Sequence, residues 1–209
     1  MGLNYVDIFY SHRPDPDTPF EETAMALDQL VRQGKALYIG ISNYSGKQTA
    51  EITKIFNDLH TPFVIHQPRY NMFDRHIEKD LFPVLKREGK AAVSFSSLAQ
   101  GLLTDKYLNG IPADSRAAKS TSPFLHPKQV DETLSTVKKL NEVAKKRGQT
   151  LAEMALAWNL REPEIASVLI GASRPQQILD NVKALDHMDF SPDELSEIDQ
   201  ILAGQGQIK

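Results

Sequence analysis

Asn4-Tyr5-Val6-Asp7-Ile8-Phe9-Tyr10-Ser11-His12-Arg13-Pro14-Asp15 reads as a β-strand that runs out into polar residues. Valine, isoleucine, phenylalanine and tyrosine at neighbouring positions suit a pleated, buried surface. Proline cannot donate to a ladder, so the strand is over by Pro14. In a parallel sheet, open or closed into a barrel, side chains just beyond the carboxyl ends of the strands line the substrate cleft. His12 is therefore the first candidate functional residue.

Working outward, apolar runs of about five residues recur at 36 to 41, 62 to 66, 91 to 96 and 165 to 170, after the first at 5 to 10. Amphipathic stretches of roughly a dozen residues separate the first four, a pattern of repeated βαβ units around a parallel sheet. Thr18-Pro19-Phe20-Glu21 predicts a capping box with proline at the first helical position, and Phe20, Ala24, Leu27 and Val31 share one face of the helix that follows. Ser45 with Gln48 predicts the second helix, which buries Ile52, Ile55 and Phe56. A third is expected from about Asp80 to Gly89.

The periodicity lapses between Gln100 and Pro127, and a loop of that length inside a compact domain is usually functional. Two helices follow, one with Val130, Leu134, Val137 and Leu140 in register, the other opened by Thr150 with Glu153. Trp158 belongs with the apolar face of Leu151, Met154 and Ala155. After the last strand, Gly171-Ala172-Ser173-Arg174-Pro175 leads into a helix ending near Leu185, and Ser191 with Glu194 caps a final one. No linker or repeat divides the 209 residues, which are expected to form a single domain.

Composition excludes several classes. Net charge is -3 and neither sign is gathered into long blocks, so no nucleic-acid or membrane-surface affinity is implied. The basic cluster Lys145-Lys146-Arg147 is expected to complement a helix dipole. The absence of cysteine removes disulfide scaffolds, thiolate metal sites and cysteine nucleophiles, and suits a cytoplasmic setting. The six histidines show no metal-ligand spacing, and His60, His66, His76, His126 and His187 are read as structural or exposed. No run is long and apolar enough to span a membrane. A G-x-G-x-x-G turn is missing, which disfavours a Rossmann site.

Four segments in this order and spacing carry a resemblance: Tyr5-Val6-Asp7-Ile8-Phe9-Tyr10-Ser11-His12-Arg13-Pro14, Gly40-Ile41-Ser42-Asn43-Tyr44, His66-Gln67-Pro68 and Ile170-Gly171-Ala172-Ser173-Arg174-Pro175. Together they resemble the aldo-keto reductase superfamily over essentially the whole chain. Lys106-Tyr107, Gly110-Ile111-Pro112 and Ser115-Arg116 are most similar to the branch that holds bacterial L-glyceraldehyde 3-phosphate reductases and potassium-channel β-subunits. The resemblance implies an α/β fold, a TIM-type (β/α)8 barrel of which this chain supplies strands four to eight and a C-terminal helix. It also implies NADPH as cofactor and a small carbonyl compound as substrate. The family's catalytic Tyr, Asp and Lys lie on the first three βα units and have no counterpart here. Met1-Gly2-Leu3 looks like the interior of the family pattern, so Met1 is expected to be an internal methionine.

Residue by residue, the resemblance makes His12 the one catalytic position carried over, an imidazole that orients the substrate carbonyl. The channel subunits carry Asn at that place, so His12 favours the reductases. Ser42, Asn43 and Gln67 match positions that bond the nicotinamide carboxamide, a group needing donors and acceptors together. Ser and Asn after a strand also cap turns. Phe95 matches an aromatic stacked on the nicotinamide, and is equally a core residue by pattern alone. Ser96, Leu98, Gln100 and Gly101 lie on the turn after the fourth strand, where backbone N–H groups face a pyrophosphate, with Lys106 and Arg116 as cations on the loop beyond. Ser173, Gln177, Asp180 and Asn181 match the adenosine-phosphate end, and Gly171 to Arg174 enter a helix N-terminus. Arg174 there suits a ribose 2′-phosphate.

Two readings of different class stand side by side. One is an NADPH-dependent reductase of small aldehydes such as glyceraldehyde 3-phosphate, which without the first three units is inactive alone. The other is a non-catalytic nucleotide-binding or partner-binding module like the channel subunits. Under either, the apolar end strands are expected to act as unpaired edges that draw the chain into homo-oligomers or other association.

Overall fold

The computed structural model describes residues 2–119 and 121–204, so the expectation placed on Met1 lies outside the described residues. They form two compact units. The first runs through Arg69 and adds His76–Phe95 and Glu164–Ser167; the second comprises Tyr70–Arg75, Ser96–Pro163 and the described residues from Val168 on.

The first unit is built on one sheet. Its strands are β1 (Val6–Ser11), β2 (Ala36–Ser42), β3 (Phe63–Gln67), β4 (Ala91–Ser94) and the start of β5 (Ile165–Val168), in the spatial order β1-β2-β3-β4-β5. The pairs β1–β2, β2–β3 and β3–β4 are parallel. Each new strand joins the edge left by the one before. A doubly wound sheet instead reverses its order at a switch point, so this single winding is that of a (β/α) barrel segment.

Helices α1 (Phe20–Arg32), α2 (Gly46–Leu59), α3 (Ile77–Asp80) and α4 (Phe82–Glu88) connect the strands. Ile39 and Ile41 of β2 are fully buried against Ala24 and Leu27 of α1 and Ile52 and Phe56 of α2, with Phe20, Val31 and Ile55 packed around them. Fully buried Ile39, Ile41, Ile52 and Phe56 each contribute about 1.5–3 kcal/mol through burial. Asp28 of α1 is buried too, accepting from Thr61 Oγ1 at 2.8 Å and Arg32 Nε at 2.5 Å. The Arg32 guanidinium holds that carboxyl below the usual carboxylate range.

Several boundaries differ from the sequence expectation. Thr18 does not cap α1: Pro19 is the N-cap residue, and the Thr18 hydroxyl donates to Asp15 Oδ2 at 2.8 Å. Its hydroxyl proton goes to a carboxylate, a charge-assisted hydrogen bond stronger than a neutral one. The helix expected from about Asp80 to Gly89 is α4, which starts at Phe82 and is capped by Gly89; the separate one-turn α3 before it was not expected. β4 ends at Ser94 because Ser96 adopts φ 56°, and β5 ends at Val168, two residues short of the apolar run. Ser45 and Gln48 do form the expected reciprocal cap of α2.

The second unit contains α5 (Pro127–Lys146), α6 (Leu151–Leu160), α7 (Pro175–Val182) and α8 (Pro192–Ala203), with short 3₁₀ turns at Ala99–Gly101, Asp105–Tyr107 and Lys183–Asp186. The Thr150–Glu153 and Ser191–Glu194 capping boxes open α6 and α8. Helix α7 stops at Val182, and the residues to Asp186 continue as a 3₁₀ turn. Trp158 is fully buried, stacked on Tyr70 at 5.3 Å between ring centroids and covered by the Arg161 guanidinium at 3.7 Å.

Arg147 extends the reading of the basic cluster. Lys145 and Lys146 pair with Glu142 and Glu197 at the surface, but the Arg147 side chain is 1% exposed. Its guanidinium donates to Gln149 Oε1, Glu194 Oε1 and the carbonyls of His187 and Asp189, and lies 3.8 Å over the Phe190 ring. Lys145 and Lys146 lie in the last turn of α5, at the helix end where the cluster is expected, and Arg147 just beyond also tethers that end to the segment entering α8.

Candidate active site

In the first unit, polar side chains gather at the carboxyl ends of β1, β2 and β3, where the register sets Ser11 beside Ile41 and Ser42 beside Gln67. Asn43 follows β2 with φ 61°, a left-handed conformation that asparagine tolerates better than most residues. That turn brings its Nδ2 to the main-chain carbonyl of His12 at 2.9 Å and to Ser42 Oγ at 3.0 Å. Ser42 Oγ in turn donates to the Gln67 carbonyl at 2.7 Å. The chain His12, Asn43, Ser42, Gln67 thus stitches three strand ends together. The turn-capping reading of Ser42 and Asn43 is met in part: their donors bond main-chain carbonyls, those of neighbouring strands, and Asn43 Nδ2 also bonds Ser42 Oγ.

The His12 imidazole is exposed and Gln67 is half-buried. Phe95 is half-buried too, bridged in parallel fashion to Arg69, its N–H donating to Pro68 O at 3.0 Å. Behind these residues lie two tyrosines that sequence reasoning missed. Burial raises the Tyr10 phenol above its ordinary pKa, opposed by a hydrogen bond with the Gln67 side chain. Tyr44 is raised by burial as well, and its hydroxyl is 2.9 Å from Ser11 Oγ. A signal for Tyr10 was present in Gly40, since glycine inside a strand marks a close approach.

In the second unit, the turn after β4 holds Ser96, Ala99, Gln100 and Gly101 at φ 56°, 46°, 60° and 100°. Three non-glycine residues so close together in the left-handed region cost of order 1–3 kcal/mol each, strain of the kind that clusters at ligand sites. Asn71 Nδ2 pins the turn through the Ser96 carbonyl at 3.0 Å. Gln100 Nε2 donates to Ser96 Oγ at 3.1 Å, and Arg116 Nη1 donates to Gln100 Oε1. The structure therefore brings Ser96, Gln100 and Arg116 together. It does not offer all the backbone donors expected there: the Gly101 N–H bonds the Leu98 carbonyl at 2.8 Å. Lys106 is exposed on its 3₁₀ turn.

At the start of α7, Gly171, Ser173 and Arg174 are exposed. The N–H groups of Ser173 and Arg174 converge on Gln177 Oε1 at 2.8 and 3.2 Å. Gln177 so holds the helix entrance with an acceptor where an anion's oxygen is expected. Asp180 accepts from Gln176 and Lys183, which hold its carboxyl below the usual range, and Asn181 is half-buried one residue on.

Singly wound parallel strands with polar groups at their carboxyl ends define a (β/α)-barrel-type enzyme scaffold. The chain belongs to the aldo/keto reductase family, whose sequence model matches residues 1–203. It is 49% identical over 207 residues to an L-glyceraldehyde 3-phosphate reductase of Escherichia coli O157:H7, covering 97% of this chain and 60% of the relative. It is 39% identical over 209 residues to a candidate voltage-gated potassium channel β-subunit of Schizosaccharomyces pombe, with 97% and 60% covered. Among solved structures it resembles a glycerol dehydrogenase from Gluconobacter oxydans, with TM-score 0.77 and 27% identity over 99% of this chain and 61% of that one. The chain spans about 60% of the length of the curated relatives it matches. Its fold class is accordingly a partial TIM-type barrel.

Proposed function

We propose that this chain is the strand-four-to-eight part of an NADPH-dependent oxidoreductase that reduces small aldehydes such as glyceraldehyde 3-phosphate, acting as one domain in the cytoplasm. The observation that carries the reading is the stitched set His12, Asn43, Ser42 and Gln67 at three adjacent strand ends. Its donor set fits a carboxamide: Asn43 Oδ1 accepts, and the Gln67 amide both donates and accepts. By the family pattern Phe95 lies flat on the nicotinamide. Ser96, Leu98, Gln100, Gly101, Lys106 and Arg116 take the pyrophosphate, and Gly171, Ser173, Arg174, Gln177, Asp180 and Asn181 the adenosine phosphate. NADPH supplies the hydride when bound.

His12 orients the carbonyl in this reading. The Tyr, Asp and Lys that the family carries on its first three βα units have no counterpart in the chain, and losing a positioned acid alone costs about 10² to 10⁴-fold in rate. The 209 residues by themselves therefore bind cofactor but do not turn over at a useful rate. Fluorescence titration with NADPH and NADH tests this. Tighter binding of NADPH, weakened selectively by Arg116→Glu, supports the reading; equal affinity for the two cofactors overturns the roles of Arg116 and Arg174.

A further inference from the structure

We propose that Tyr10 is a positioning residue that fixes the Gln67 amide for the nicotinamide carboxamide, and that Gly40 exists to let it do so. The inference rests on the NADPH reading above. In the β1–β2 register Tyr10 lies beside Gly40, and in the β2–β3 register Gly40 lies beside Ile65, two residues before Gln67. Side chains alternate faces with period two, so Tyr10, Gly40, Ser42, Ile65 and Gln67 share one face of the sheet.

β1 and β3 are separated by about 10 Å, two strand spacings. A tyrosine on β1 meets a group on β3 only by lying across β2. Gly40 makes that possible: a β-carbon there would sit 2.4 Å from Tyr10 Cε1 and 2.6 Å from Cδ1. The ring therefore occupies the space that any side chain at position 40 would fill, and its hydroxyl reaches the Gln67 side chain.

Gln67 is held from two directions. Its main-chain carbonyl accepts from Ser42 Oγ at 2.7 Å, and one end of its amide is engaged by Tyr10. The other end keeps its capacity for a ligand in a fixed orientation. An amide left to rotate loses that direction and must be ordered when ligand binds, which costs affinity.

The test is a titration of the 209-residue chain and its variants with two probes, NADPH and adenosine 2′,5′-bisphosphate, which lacks nicotinamide. Tyr10→Phe keeps the ring on Gly40 and removes only the hydroxyl. It is expected to weaken NADPH about fivefold to tenfold, as loss of one hydrogen bond does, and to leave the bisphosphate unchanged. In a Gln67→Ala background the same substitution should have no further effect, because the two residues then form no pair. Equal NADPH affinity for Tyr10→Phe and wild type, with the bisphosphate still bound, overturns the positioning role and leaves the cofactor reading intact. Equal weakening of both probes assigns Tyr10 to general structure and also overturns it. Failure of the wild type to bind either probe overturns the cofactor reading and this proposal with it. Gly40→Ala should reproduce the selective NADPH loss, since the new methyl group evicts the ring.

Discussion

Gly46 and Asp80 approach so closely that a β-carbon at position 46 would lie 2.1 Å from the Asp80 carbonyl oxygen. The contact is held by the Gly46 N–H, which donates to Asp80 Oδ2 at 2.7 Å, so the first turn of α2 is seated directly on the last residue of α3.

Gly46→Ala should therefore be costly although alanine favours helices. Backbone, not a flexible side-chain end, blocks the methyl group, and overpacking of this kind costs about 1–3 kcal/mol. Denaturant unfolding should show a lowered midpoint at unchanged slope. A midpoint equal to or above wild type would mean that α2 and α3 are not in contact there.

His66 makes stability fall on mild acidification. Its ring is fully buried on β3, Nε2 lies 3.1 Å from the Tyr44 carbonyl, and Nδ1 has no hydrogen-bond partner among the described residues. Burial pushes the imidazole pKa from 6.5 down to about 4. The unfolded chain thus takes up a proton that the folded chain refuses between those values. The contribution is complete above pH 6.5 and is lost as pH falls towards 4, amounting to about 3 kcal/mol. Urea midpoints measured from pH 7 to 4 should drop through this window, and His66→Gln should flatten the drop; a profile unaffected by the substitution would sink the assignment.

Arg147 predicts a large loss from one surface-looking position. Arg147→Met removes four hydrogen bonds and the partner of Glu194, and breaking a buried pair costs about 3–5 kcal/mol. The low end applies because Glu194 is 29% exposed. Arg147→Lys keeps the charge but not the planar fork, so it should recover only part of the loss. Thermal unfolding distinguishes the three; a wild-type midpoint for Arg147→Met would show that the tether bears no load.

β1 predicts self-association. It stands at one end of the sheet order; its own Phe9 is 42% exposed, Tyr5 just before it 52%, and Leu37 and Tyr38 of the adjoining β2 49% and 45%. Exposed apolar edges recruit further strands. Light scattering should report concentration-dependent growth in size, reduced by Phe9→Lys. A dilute monomer with strongly protected β1 amides would show that this edge is covered.

What the sequence disclosed follows what is local. The strands at β1, β2 and β3 were legible because each apolar run is bounded by turn residues, and the caps at Ser45, Thr150 and Ser191 because each partner lies three residues on. Thr18 does not read as expected because its side chain turns to Asp15, three residues before it, rather than to the helix it precedes. The end of β4 is overrun since composition does not reveal the left-handed turn at Ser96, and that of β5 since Leu169 and Ile170 continue the apolar run past the last paired residue. The burial of Arg147 was not legible because it depends on His187, Asp189 and Glu194, some forty residues later. In the site, the residue types at Ser42, Asn43 and Gln67 were readable, but not that Asn43 donates to the His12 carbonyl or that Tyr10 crosses a strand to Gln67. Such pairings exist only once the register is set.

The first unit draws its last strand from Glu164–Ser167, after the chain has passed through Ser96–Pro163 of the second. A ribosome adding about 5–20 residues per second needs roughly 3 to 14 s to traverse that stretch. Throughout that interval the outer edge of β4 is on the nascent chain without the segment whose Glu164 carbonyl will receive the Ala92 N–H. Vectorial synthesis therefore cannot finish either unit before starting the other, and the newborn polypeptide passes through a window in which a holding chaperone has an open strand to guard.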